Sequence, residues 1–114
     1  RMRRVYEDRR DATVAALGEA RKRGLELSWE LPDGGMGLWM DCGADADRVT
    51  ALAAQAGVFV TAESNYHLEP PRRSTHLRLG FASQQPEALG AGVGLLAEAI
   101  ATVRREESRP QRRA

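Results

Sequence analysis

The sequence predicts an α+β domain: a two-layer sandwich with a mostly antiparallel sheet of three to four strands and helices packed on one face. Three observations predict it. Stretches with apolar residues at three- and four-residue steps open and close the chain, and period-two alternation fills segments between them. The chain has 114 residues, 42% of them apolar, with a formal net charge of +1, which suits one core and not two. A chain of this size buries roughly 65% of its unfolded surface.

The first helix is expected over residues 2–22. Val5, Tyr6, Ala12, Thr13, Ala16, Leu17 and Ala20 form its stripe, and Arg21, Lys22 and Arg23 precede the stop signal Gly24. Leu25, Leu27, Trp29 and Leu31 then alternate with polar residues, as a half-buried strand does. Pro32, Asp33, Gly34 and Gly35 make a turn, and Met36, Leu38 and Met40 alternate again, so the two strands form a hairpin. Asp45 caps a short helix with the stripe Val49, Leu52, Ala53 and Ala56, which exits at Gly57. Val58–Ala62 predicts a strand, and 63–75, with Pro70 and Pro71, an exposed loop. In His76–Ala82, Leu77, Leu79 and Phe81 face the core while His76, Arg78 and Gly80 face away. Leu89, Val93, Leu96, Ile100 and Val103 mark a last helix over 86–105. The domain is therefore placed at 1–105, and 106–114, lacking an apolar face, is expected to be a disordered tail.

Composition narrows the function. No run approaches the roughly 20 apolar residues that cross a bilayer, and nothing resembles a signal peptide, so no membrane partner and a cytoplasmic setting are expected. The basic residues are 16 Arg and a single Lys, Lys22, so lysine chemistry has one candidate. Lys22 lies in Arg-Lys-Arg-Gly at a helix end, a solvated position unlike the desolvated pocket that frees an amine. Cys42 has no partner for a disulfide and no basic sequence neighbour, and with only His67 and His76 beside it no metal site is expected. Both histidines read as surface residues. The terminal arginines alternate with Glu7, Asp8, Asp11, Glu106 and Glu107, which fits a solvated helix face better than a nucleic-acid surface.

Two features remain as binding candidates. Arg78, on a strand face opposite the leucines, is either an ordinary solvated arginine or a rigidly mounted fork that grips a carboxylate by two hydrogen bonds, with Gly80 leaving room beside it. Gly34-Gly35 is either a tight turn or a point of close backbone approach to a ligand; it lacks the residues of a phosphate loop.

In order, RMRRVYEDRRDATVAAL, PDGGMGLWM, AQAGVFVTAES, HLRLGFA and PEALGAGVGLLAEAI resemble the C-terminal small domain of fold-type I pyridoxal-phosphate enzymes of the class I/II aminotransferase family. They are most similar to the aminotransferase-like half of the MocR-like regulators of the GntR family. The resemblance implies that Arg78 binds the substrate α-carboxylate and that Gly35 and Tyr66 lie on the substrate side. It implies no catalytic or cofactor-binding residue here, because the Schiff-base lysine, the aspartate on the pyridine nitrogen and the phosphate site belong to a large domain preceding Arg1. The chain would then be part of a longer polypeptide, inactive alone. Its parent would hold pyridoxal phosphate, take an amino-acid or amine substrate or effector and pair as a homodimer. In the regulator, DNA would be contacted only through an upstream domain. A plain aminotransferase and a stand-alone α+β ligand-binding or oligomerisation module are the alternatives. Two departures stand out: Ala62-Glu63 replaces a usual Pro-Gly pair, and Gly37 stands where many MocR-like members have His or Phe.

Overall fold

The computed structural model describes residues 2–30, 37–66, 68–69, 74–80 and 86–108, without the side chains of 2–6, 37, 66, 86 and 87. Helix α1 (Met2–Lys22) is followed by β1 (Ser28–Glu30), β2 (Gly37–Asp41), α2 (Ala46–Gln55), β3 (Thr61–Ala62), a 3-10 turn (Glu63–Tyr66), β4 (His76–Gly80) and α3 (Pro86–Ser108). The strands form one sheet in the order β1-β2-β4-β3, and each neighbouring pair is antiparallel. This is the expected α+β architecture.

The register decides which residues face the helices. Leu38 pairs with Leu79 and Met40 with Leu77, while Ala62 lies opposite Leu77 on the other side. All are buried, and they join Leu17 and Ala20 of α1, Val49 and Ala53 of α2 and Leu89, Val93, Leu96, Ile100 and Val103 of α3 in one core. At about 25 cal/mol per Å² of apolar surface removed from water, each fully buried leucine contributes roughly 2 kcal/mol. By the alternation of strands, the opposite sheet face carries Glu30, Trp39, Asp41, Thr61, His76, Arg78 and Gly80.

Local chemistry sets the ends. Asp45 caps α2 by accepting from the Asp47 N–H at 3.1 Å. Both α1 and α2 stop in the same paired-bond motif: Leu25 N–H reaches Ala20 O and Gly24 N–H reaches Arg21 O, as Val58 N–H reaches Ala53 O and Gly57 N–H reaches Ala54 O.

Three expected boundaries shift. The strand predicted from Leu25 begins only at Ser28, because the Glu26 and Leu27 carbonyls accept from Arg104 and Arg21 side chains. Their would-be partner strand ends at Asp41, and the Cys42 carbonyl next to it accepts from Arg104 Nε. The strand predicted over Val58–Ala62 shrinks to Thr61–Ala62, since Val58 is bound to the end of α2 and Phe59 stands 80% exposed. Helix α3 continues past 105 to Ser108 without an apolar face there. Glu106 pairs with Arg48 at 3.1 Å and Glu107 accepts from the Asp45 N–H at 3.0 Å, so α2 holds the extra turn electrostatically. The predicted 32–35 turn and residues 109–114 lie outside the described residues.

Candidate functional site on the open sheet face

Arg78 is central in the open face. It pairs directly with Trp39 of β2 and Thr61 of β3, so neighbours in both adjacent strands fix its backbone. Leu77 and Leu79, buried on either side of it, lock the strand to the core and leave the arginine half-buried on the far face. Its guanidinium runs along the strand toward Gly80: a Cβ built on Gly80 would stand 3.5 Å from Arg78 Nη1. Among the described residues, no carboxylate or carbonyl takes up its donors.

The other end of this face is acidic. His76 Nε2 lies 3.9 Å from Asp41 Oδ2 and Nδ1 lies 3.8 Å from Glu63 Oε1. Ser74 Oγ donates to Glu63 and accepts from the His76 N–H. A shallow depression of about 250 Å³, lined by Glu30, Trp39, Asp41 and His76 among others, occupies this corner. Burial pushes the Asp41 carboxyl up, but hydrogen bonds from Thr75 and the Gly43 N–H, with the His76 and Arg104 charges, hold it below the ordinary carboxylate range. His76 is thus flanked by carboxylates that its sequence neighbours do not reveal. They come from β2 and from the turn after β3.

A second arginine has a different environment. Arg104 Nε donates to Cys42 O at 2.9 Å, and Nη2 donates to Glu26 O. Gly43, at φ +66°, lies directly beneath: a Cβ there would stand 2.5 Å from Arg104 Nη2. Cys42 therefore has a basic neighbour after all, brought by α3 from 62 positions away. Burial nevertheless dominates and pushes the thiol up, and its single S–H is shared between Ala44 O at 3.4 Å and Thr75 O at 3.2 Å. The cysteine is structural in its surroundings and unsuited to nucleophilic work.

Of the sequence candidates, Arg78 is the one whose side chain is described. Gly35 and His67 lie outside the described residues, and Tyr66 ends the 3-10 turn with its side chain undescribed. Trp39, Thr61 and the surroundings of His76 belong to the same face and were not singled out by spacing. Only strand pairing brings them together. Among the described residues, no group of three or more metal-ligating side chains converges. No helix among them is long and apolar enough to cross a membrane. A groove of about 570 Å³ between α1 and α3 lies in the helix layer, on the other side of the sheet from Arg78.

No family model matches the chain, and no curated protein does. Solved structures do. An α-aminoadipate aminotransferase, LysN, from Thermus thermophilus, solved with N-(5'-phosphopyridoxyl)-L-leucine, is 26% identical with a TM-score of 0.78, over 91% of this chain and 26% of that one. A multiple substrate aminotransferase from Thermococcus profundus is 28% identical with a TM-score of 0.77, over 90% and 25%. The kynurenine aminotransferase of Pyrococcus horikoshii, solved with PMP, is 28% identical with a TM-score of 0.74, over 95% and 26%. The chain therefore folds as an aminotransferase-fold domain, and it spans about a quarter of the length of these proteins.

The cofactor of such enzymes does not fit the described residues. Lys22, the chain's one lysine, is 79% exposed at its side chain and lies 3.9 Å from Glu19 on the outside of α1. Nothing there desolvates the amine as a Schiff-base lysine requires.

Proposed function

We propose that the chain is the substrate-recognition and closure domain of a pyridoxal-phosphate-dependent aminotransferase-like protein, and that Arg78 grips the α-carboxylate of its substrate or effector. The observation that carries this reading is Arg78 itself, a half-buried guanidinium on a core-anchored strand with no partner among the described residues. A planar fork held at one point offers two parallel N–H donors, the geometry a carboxylate matches. The aminotransferase fold of the chain supports the same reading.

Pyridoxal phosphate, bound by the remainder of the parent, supplies the electron sink for amino-acid chemistry. This chain contributes binding and orientation: Arg78 fixes one end of the substrate, and movement of the domain toward the rest of the parent excludes water. By itself it is not catalytic. Gly35 and Tyr66 complete the substrate side. The order and wording of the motifs favour a MocR-like GntR-family regulator, a cytoplasmic homodimer that meets DNA through a separate upstream domain, over a plain aminotransferase.

In the intact parent, Arg78→Ala is expected to weaken amino-acid binding about 100-fold, the worth of a charge-assisted bidentate contact. Cofactor absorbance should persist. Unchanged amino-acid affinity would remove the assignment. Sequencing the gene upstream of Arg1 separates the two parents: a DNA-binding domain ahead of a lysine-bearing large domain marks the regulator, and a large domain alone the enzyme.

A further inference from the structure

The face around Arg78 is asymmetric in a way the carboxylate reading does not use. Toward one end of β4 stand His76, Asp41 and Glu63, an acidic corner that repels an anionic ligand. Across the sheet stands Trp39, directly opposite Arg78. Toward the other end, Gly80 pairs with Gly37, and among the described residues a Cβ on Gly80 would meet Arg78 Nη1 alone, at 3.5 Å. Gly80 lacks the positive φ found at Gly24, Gly43 and Gly57, so backbone conformation does not demand glycine there. Glycine weakens a strand relative to alanine, and where conformation gives no reason for it, close approach of another group can.

Resting on the assignment of Arg78 above, we infer that Gly80, with Gly37 opposite, is a specificity-determining position: it keeps the non-acidic side of the fork open for a bulky, uncharged side chain on the bound amino acid. The ligand's carboxylate meets Arg78, and its side chain extends over the bare backbone of the glycine pair, away from Asp41 and Glu63. The 3.5 Å separation sets the tolerance of the position. A methyl at Gly80 makes ordinary contact with Nη1, whereas a branched side chain fills the space the ligand needs.

The test is calorimetric titration of the intact parent with L-alanine, L-leucine and L-phenylalanine. Wild type is expected to bind phenylalanine or leucine more tightly than alanine. Gly80→Val is expected to cut the preference for the large ligand over alanine about ten-fold, the discrimination a pocket gains from a methylene-sized change, with Gly80→Ala within about two-fold of wild type. A preference that survives Gly80→Val, equal losses for all three ligands, or a wild type without preference for a large side chain would overturn the inference. Arg78→Ala separates the layers. If it abolishes binding while Gly80→Val leaves the preference intact, only the specificity role fails; if Arg78→Ala leaves all three affinities unchanged, the carboxylate assignment fails.

Discussion

Two half-buried arginines of this domain differ in what their guanidinium groups touch. Arg104, on α3, donates to the carbonyls of Cys42 and Glu26 and closes the corner where β2 ends and β1 begins. Arg78, on β4, lies on the open face with no such partner among the described residues. Donors spent on carbonyls hold a fold together, because a part-buried carbonyl such as that of Cys42 loses up to about 1–3 kcal/mol when its partner is removed. Donors held rigidly and left open are available to a ligand. Charge alone distinguishes neither case, which is why an arginine-rich composition says little until each guanidinium is followed to its contacts.

The largest loss comes from the core beneath β4, the strand that carries Arg78. Leu77→Ala should cost about 3 kcal/mol, since Leu77 is fully buried between Met40 and Ala62, and chemical denaturation would read it. Next in size, Gly43→Ala should cost about 2 kcal/mol: it combines a left-handed φ with a Cβ that collides with Arg104. Arg104→Ala, which strips two carbonyls of their donor, should cost about 1–2 kcal/mol, whereas Arg78→Ala should change stability by less than about 0.5 kcal/mol. Equal losses from the two arginine substitutions would erase the contrast.

Acid provides a further small effect. Asp41 is held below its ordinary range in the fold, so its contribution is present above the unfolded carboxylate value and is lost as pH falls through the lower folded one. Its side chain is 41% exposed, which limits that contribution to less than about 1 kcal/mol after solvent screening. Asp41→Asn should flatten the acid limb of a stability–pH curve by that amount and leave the curve above pH ~6 parallel to wild type.

How much of this was legible in the sequence follows from the range of the interactions involved. Helices α1, α2 and α3 were readable because their stripes and caps are local: Asp45, Gly24 and Gly57 sit where the capping rules put them. The alternation in HLRLG likewise placed Arg78 opposite the leucines. The late start of β1 was not readable, since it depends on Arg104 claiming a carbonyl 78 positions away. The extra turn of α3 had no apolar signal either, and rests on Arg48 and the Asp45 N–H. Within the candidate site, the arginine could be found from period and residue type. Trp39, Thr61 and the carboxylates around His76 could not, because strand order β1-β2-β4-β3 is a tertiary fact.

We propose that Arg78 is open for a ligand, while Arg104 is committed to the fold by its bonds to Cys42 O and Glu26 O. Calorimetric titration of the intact parent and its Arg78→Ala and Arg104→Ala variants with a bound amino acid tests it most directly. Arg78→Ala is expected to lose about 100-fold in affinity at unchanged thermal stability, and Arg104→Ala to lose stability while ligand affinity at its folded temperature stays within about three-fold. Full amino-acid affinity in Arg78→Ala, or the larger affinity loss in Arg104→Ala, would contradict it.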